Sequence, residues 1–410
     1  MFRRTLVVSL LLASASASGL GGCAHTRHPV PIDLIESAEI PGMPGVRDWA
    51  HERSRAFQKS VTESFAQEPP GAYVTGPGGE RTYHMLALSG GGPDGAYGAG
   101  ILNGWSAAGT RPKFKLITGI STGALIATFA FLGEAYDDEL KAAYTTTDTR
   151  RIFRRHAFIS WLWEDSLTDS MPLAKMIEQY ITDDMIRAVA VEHAKGRRLF
   201  VATTNLDADR LVVWDMGAIA GRDTREAFAL YRDVVRASAS VPIVFTPVYI
   251  TVKAGGQTYD EMHVDAGAKA SVFVRGFMID TGEAFKDTGV EASKIRFKLY
   301  IIRNGKLATA PSSVEAGIGA IARKTLVSML NARTVGDLYR IYLIAAQQGA
   351  EFHFAALPPD YQPTKEDPEP FDVEEMTREF NLGYQQARDG YPWQTLPPGL
   401  AEKDRIRPRR

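Results

Sequence analysis

Lys115-Leu-Ile-Thr-Gly119-Ile-Ser121-Thr-Gly123-Ala-Leu-Ile-Ala127 says more about this chain than any other segment. An apolar run with strand character enters Gly119-Ile-Ser121-Thr-Gly123, and Ala124 to Leu132 leaves it as a buried helix. Between a strand and a helix, G-x-S-x-G reads as a nucleophile elbow. The serine tops a sharp turn, and Gly119 and Gly123 flank it because a Cβ there would strike the neighbouring strand or helix. The helix that follows aims its N-terminal N–H groups and positive dipole end at the serine oxygen. The same pattern arises by chance in many chains, so the assignment depends on partners elsewhere.

The first partner stands about thirty residues upstream, in Leu88-Ser89-Gly90-Gly91-Gly92-Pro93-Asp94-Gly95-Ala-Tyr-Gly98. A strand, Tyr83 to Leu88, feeds a glycine-rich turn that opens a helix, Gly95 to Ala108. Residues without side chains let backbone N–H groups converge on one anionic oxygen, as the tetrahedral intermediate of acyl transfer requires. Gly90, Gly91, Gly92 and Gly95 are thus candidates for an oxyanion hole. Two other readings compete. The glycines could serve close packing alone. Gly90-x-Gly92-x-x-Gly95 also matches a dinucleotide fingerprint, but Asp94 would repel a pyrophosphate. Where that fingerprint needs an acid for the ribose, the chain reads Arg111-Pro-Lys-Phe-Lys115. No Gly-Lys-Ser/Thr follows, which excludes a P-loop.

A serine hydroxyl needs a base. Asp265, in His263-Val-Asp265-Ala-Gly267-Ala, follows an extended segment and precedes small residues that let its carboxylate approach a neighbouring loop. Partial burial there would raise its pKa and make it a better base. A Ser-Asp-His triad would require a histidine after the acid, and only His353 qualifies. His263 shares a strand face with Asp265. Both histidines read more simply as packed or hydrogen-bonded structural residues.

Around these blocks, strand and helix alternate. Further strands are expected at Arg198 to Thr204, Arg210 to Asp215, Val248 to Val252 and Arg296 to Arg303. Helices are expected near Arg47 to Ser64, Thr224 to Ser238, Pro311 to Gly349 and Asp372 to Asp389. The order predicts an α/β fold with a mostly parallel sheet covered on both faces. A polar helical stretch from Tyr136 to Ala194, broken at Pro172 and carrying Trp161 and Trp163, is the expected substrate-facing cap, although tryptophans more often fill a core.

With 410 residues, 45% hydrophobic and 23% charged, the composition suits one large globular α/β domain. A net charge of −1 gives no reason to expect nucleic acid. The N-terminus reads as an export signal over residues 1–22: Arg3 and Arg4, the apolar run Leu6 to Ala13, then small residues. It ends at Leu20-Gly-Gly-Cys23, the chain's one cysteine, which resembles the lipobox of bacterial lipoproteins. That resemblance implies lipidation of Cys23. Ala24, where Asp would retain a lipoprotein at the inner membrane, implies the outer membrane. The expected organisation is a lipidated tether and wrapping segment over 23–80, a catalytic domain over 81–395 and a tail over 396–410.

Taken together, Ser89-Gly90-Gly91-Gly92-x-x-Gly95, Gly119-x-Ser121-x-Gly123, the aspartate turn at Asp265 and Ala237-Ser-Ala-Ser-Val-Pro242-Ile-Val-Phe245-Thr-Pro247 resemble the patatin-like phospholipases. The resemblance spans roughly Tyr83 to Ala270. It implies a three-layer α/β/α sandwich and acyl-ester hydrolysis by a Ser-Asp dyad, with Ser121 as nucleophile, Asp265 as base and the loop N–H groups as oxyanion donors. Substrates would be membrane lipids or other acyl esters. Two departures stand out. Asp94 occupies the position where the family usually has Arg or Lys, and Ala266 intervenes between Asp265 and Gly267, where glycine usually follows directly. If Ala266 needed positive φ it would cost about 1 kcal/mol or more. No cofactor is expected, and without a D-x-D-x-D-G loop no metal dependence is predicted. An esterase or thioesterase for soluble esters and a catalytically silent lipid-binding scaffold are the alternatives. Nothing in the sequence specifies an oligomeric state.

Overall fold

The computed structural model describes residues 27–50, 52–148, 154–155, 168–169, 171–242, 244–274, 291–307, 313–365 and 371–406. The expected signal segment, Cys23, Trp161 and Trp163 lie outside them. In chain order the elements are β1 (Arg47–Trp49), α1 (Arg55–Ala66), β2 (Arg81–Leu88), α2 (Gly95–Ala107), β3 (Phe114–Gly119), α3 (Thr122–Leu132) and α4 (Asp137–Thr145). Two short paired strands follow, β4 (Arg154–Arg155) and β5 (Thr168–Asp169), then α5 (Met171–Tyr180), α6 (Asp183–Ala194), β6 (Arg198–Asn205), β7 (Arg210–Asp215) and α7 (Met216–Ala220). The remainder is α8 (Arg225–Ala239), β8 (Val248–Ala254), β9 (Gln257–Asp265), β10 (Ile295–Arg303), α9 (Ile318–Gln347), β11 (Glu351–Ala356) and α10 (Val373–Arg388).

Nine strands form one sheet in the order β1-β7-β6-β3-β2-β10-β11, with β9 also beside β6 and β8 beyond β9. From β6 to β11 the neighbours run parallel, while β1, β7, β8 and β9 add antiparallel pairings. Parallel strands buried on both faces should carry apolar residues at successive positions, because alternate side chains point to opposite faces. They do. Leu86, Leu88, Leu199, Val201 and Ile302 pack with α2, α3, α8 and α10 on one face. Phe200 and Ala202 meet Phe57 and Val61 of α1 on the other face, and Ala87, Leu299 and Ile301 meet α9 there. The result is the mixed α/β sandwich expected.

Three local readings change. The predicted helix from Arg47 starts at Arg55, capped by the Ser54 hydroxyl accepting from Phe57 N at 3.1 Å. Arg47 to Trp49 instead form β1, because β7 would otherwise leave a line of edge N–H and C=O groups unpaired. The segment before β1 is more than a tether: Val30, Ile40, Met43 and Val46 are buried in the main core, and Arg27 is ion-paired with Asp207 and Asp260. Pro172 does not break a helix. It is the second residue of α5, where its missing N–H has no helical partner to lose.

The catalytic-side helix α2 packs on α10 at a distance that only glycine permits. A Cβ on Gly100 would lie 2.0 Å from the Phe380 carbonyl oxygen, and one on Gly104 would lie 2.1 Å from that of Tyr384. Gly100→Ala and Gly104→Ala are each expected to destabilise the fold by about 1–3 kcal/mol through overpacking. Calorimetry should show unfolding midpoints a few degrees lower.

Candidate active site

Two strands share one edge of β6, and their ends meet. β3 runs parallel to β6 and stops at Gly119 opposite Val201. β9 arrives from the other direction and stops at Asp265 opposite Thr203. Ser121 leaves the end of β3 and Asp265 closes the end of β9, so residues 144 positions apart in sequence face one another. The Ser121 hydroxyl is close enough to the Asp265 carboxylate to lower its pKa.

The elbow has the strained form the sequence predicts. Ser121 adopts φ 56° and ψ −128°, a left-handed conformation that costs a non-glycine residue about 1–3 kcal/mol. A Cβ on Gly119 would sit 2.4 Å from the Gly123 carbonyl oxygen, and one on Gly123 would sit 2.5 Å from that of Leu88. The Ser121 N–H donates to Ser238 Oγ at 2.9 Å, and Ser238 Oγ donates to the carbonyl of Ala202 at 2.7 Å. Ala202 is the residue of β6 between the two half-ladders. Ser238 thus ties the strained turn to the gap between β3 and β9. Tyr144 adds a second tie, its hydroxyl donating to the Thr122 carbonyl at 3.1 Å.

Asp265 is fixed by its backbone and side chain together. Its N–H donates to the Ser240 carbonyl at 2.8 Å, and its own carbonyl accepts from Thr204 Oγ1 at 3.1 Å. Oδ1 accepts from the Gly267 N–H at 2.6 Å. Burial pushes this carboxyl up to about 6, opposed by its hydrogen bonds to Ser121 and Gly267. The departure at Ala266 carries no strain, since the non-glycine residues at positive φ among those described are Ser121, Asp209 and Asp223. Glycine is needed one place later: a Cβ on Gly267 would lie 2.8 Å from Asp265 Oδ1.

The glycine loop divides into donors that are engaged and donors that are free. Gly90 N–H donates to the Ser271 carbonyl at 3.2 Å, and Gly95 N–H is used at the start of α2. Gly95 is instead a packing residue, since its Cβ would lie 2.4 Å from Thr122 Oγ1. Gly91 and Gly92 N–H have no acceptor among the described residues. They are the two loop donors left for an oxyanion, and Gly92 lines the cavity at Ser121.

That cavity has a volume of about 320 Å³. Ser121, Thr122 and Gly92 stand on its wall, and the remainder is mostly apolar, including Leu125, Met176, Ile177, Val235 and Phe245. Met176 and Ile177 come from α5 and Ala143 and Tyr144 from α4, so the stretch expected to form a cap does supply part of the lining.

Neither histidine belongs to this site. His263 is fully buried and bonds to Thr203 Oγ1 and Glu261, while His353, in β11, stacks on Tyr300 of β10. Among the described residues no group of three metal-ligating side chains occurs, and no helix is long and apolar enough to cross a membrane. The sequence reading missed the supporting shell of Ser238, Tyr144 and Ser271. Only Ser238 left a trace, inside the Ala237-Ser-Ala-Ser block.

A strained serine elbow facing a glycine loop at the ends of parallel strands places the chain among α/β proteins with hydrolase-type sites. Residues 86–278 match the patatin-like phospholipase family, so the chain carries a patatin-like phospholipase domain, and this supports lipid acyl hydrolase activity in general. Among solved structures, VipD from Legionella pneumophila is similar at 12% identity over 77% of this chain and 69% of that one. The TM-score of that match is 0.33. A search of curated proteins gave no match.

A base acts in its ionised form, so with Asp265 near 6 the kcat/KM of an ester substrate should fall about tenfold per pH unit below about 6 and level off above it. The stability sign is opposite. A carboxyl raised in the folded state favours folding below its unfolded value and loses that contribution as pH rises through about 6. Asp265→Asn should therefore abolish the acid limb while leaving the melting temperature at pH 8 equal to or above wild type.

Proposed function

We propose that this protein is a serine hydrolase of lipid acyl esters that works through a Ser121–Asp265 dyad and is held at the bacterial envelope through lipidated Cys23. The observation that carries the reading is the placement of one strained serine between a buried carboxylate and an apolar cavity. Ser121 Oγ attacks the ester carbonyl as its proton passes to Asp265. The carbonyl oxygen, now negative, accepts from Gly91 and Gly92 N–H. Collapse expels the alcohol, which takes the proton from Asp265, and leaves an acyl group on Ser121. Water then attacks that acyl group with Asp265 again as base, and Ser121 Oγ takes the proton back from Asp265 as it leaves, releasing the carboxylic acid. No histidine is needed, because a carboxyl near 6 is already ionised at neutral pH.

The mostly apolar lining of the cavity beside Ser121 supports an acyl chain as its occupant. Export and anchoring rest on the sequence of residues 1–23. The proximity of Cys23 to Arg27, four positions on and already ion-paired to the domain, supports a short tether.

A fluorophosphonate should label wild-type protein at Ser121 and leave Ser121→Ala unlabelled. Asp265→Asn should lower kcat at least about a hundredfold. Absence of labelling would point to a silent scaffold, and turnover of short soluble esters but not of phospholipid vesicles would point to a soluble-ester esterase.

Across nitrophenyl esters of increasing length, kcat/KM should rise as apolar contact with the cavity grows and flatten once the cavity is filled. Ala239→Leu, which fills the cavity wall, should shift that optimum to shorter chains.

A further inference from the structure

The glycine loop rests on the end of β10, where Arg303 and Asn304 form a cradle. Asn304 Nδ2 donates to the Ser89 carbonyl at 2.6 Å, and Asn304 N–H donates to Ser89 Oγ at 2.9 Å. The loop lies so close that a Cβ on Gly91 would sit 1.9 Å from the Asn304 carbonyl oxygen. Arg303 Nη1 donates to the Gly90 carbonyl and, at 2.9 Å, to that of Asn304. Ser89 Oγ donates to the same Gly90 carbonyl at 2.7 Å.

The Gly90 carbonyl and the Gly91 N–H belong to one peptide unit. In a planar trans peptide these two groups point in opposite directions. Holding the carbonyl against Arg303 therefore turns the Gly91 N–H away from β10. On that other side Gly90 abuts the elbow, its Cβ position 3.1 Å from Ser121 Cβ. Among the described residues, Gly91 N–H is one of the two loop donors without an acceptor. A cation on the carbonyl also draws electron density from the amide and strengthens the N–H as a donor.

We propose that Arg303 is a positioning residue of the oxyanion site, fixing the Gly90–Gly91 peptide so that its N–H faces the developing ester oxyanion. The inference rests on the acyl-hydrolase reading above. It also accounts for Asp94. The loop carries no cation of its own before Gly95, and β10 delivers one from outside the motif. Asp94 and Arg303 flank Gly305: a Cβ there would lie 2.8 Å from Asp94 Oδ2 and 3.4 Å from Arg303 Nη2. Burial raises the Asp94 carboxyl to about 6 while the Arg303 charge lowers it. Arg303 is thus a partner that Asp94 tolerates and that an arginine or lysine at position 94 would repel.

The experiment compares wild type, Arg303→Met and Arg303→Lys with a nitrophenyl ester and with a fluorophosphonate, whose phosphonyl oxygen occupies the oxyanion position. Arg303→Met should lose about a hundredfold in kcat, the size of effect seen when an oxyanion donor is lost, with KM within about twofold. Its phosphonylation rate should fall in parallel, and the acid limb near 6 should stay in place, since Asp265 is untouched. Lysine, with one point charge for the Gly90 carbonyl, should restore about a tenth of the wild-type kcat. Wild-type kcat in a folded Arg303→Met overturns the inference, as does a loss confined to KM or a displaced acid limb. Should Arg303→Met not fold, Arg303→Lys decides: a phosphonylation rate equal to wild type overturns it. If wild-type Ser121 resists the fluorophosphonate altogether, the acyl-hydrolase reading fails and this inference with it.

Discussion

The hydrogen-bonding edge of β6 governs the site. Arg198 to Val201 bond β3, Thr203 to Asn205 bond β9, and Ala202 falls between them. A parallel strand and an antiparallel strand can share one edge only by meeting end to end. That meeting point brings Ser121 and Asp265 together from the ends of two strands. Ser238 fills the gap by bonding the Ala202 carbonyl and the Ser121 N–H at once. A one-residue change in the register of β9 would turn Asp265 to the other face, away from Ser121.

The site stores unfavourable terms that the surrounding fold holds in place. Ser121 sits at positive φ, and the Asp265 carboxyl is taken out of water. Neither would persist in a loose scaffold. Both elements are locked by contacts with almost no slack: α3 against the strand end through Gly119 and Gly123, and the base through backbone bonds to Ser240 and Thr204. The glycine loop is held likewise from β10 and from the Ser271 carbonyl. Ser271 N–H in turn donates to Asp337 of α9. The loop that follows Asp265 and the glycine loop are therefore parts of one bonded unit.

Much of the fold is legible in the chain because its signals are local. The strands β2, β3, β6, β7 and β10 are apolar runs bounded by turns, and the elbow glycines announce a sharp corner. The β8–β9 hairpin was partly hidden. Its two-residue turn, Gly255-Gly256, has both residues at positive φ, the conformation that suits a tight hairpin. The edge strand β1 was not legible, since three residues carry no periodicity and only the exposed edge of β7 makes them a strand. The Gly90, Gly91, Gly92 and Gly95 sequence gives no means to tell which N–H groups remain free, because their acceptors lie on distant segments.

By itself the sequence determined the α/β alternation, the strained elbow at Ser121 and the chemical types gathered near it, because each depends on neighbours a few residues away. Tertiary structure decided the rest. It brought Asp265 opposite Ser121 along β6, left Gly91 and Gly92 as the free donors, and placed Arg303 behind the loop where Asp94 had removed any local cation. Those outcomes depend on strand register and on which backbone groups find partners across the sheet, quantities that exist only once the strands are paired.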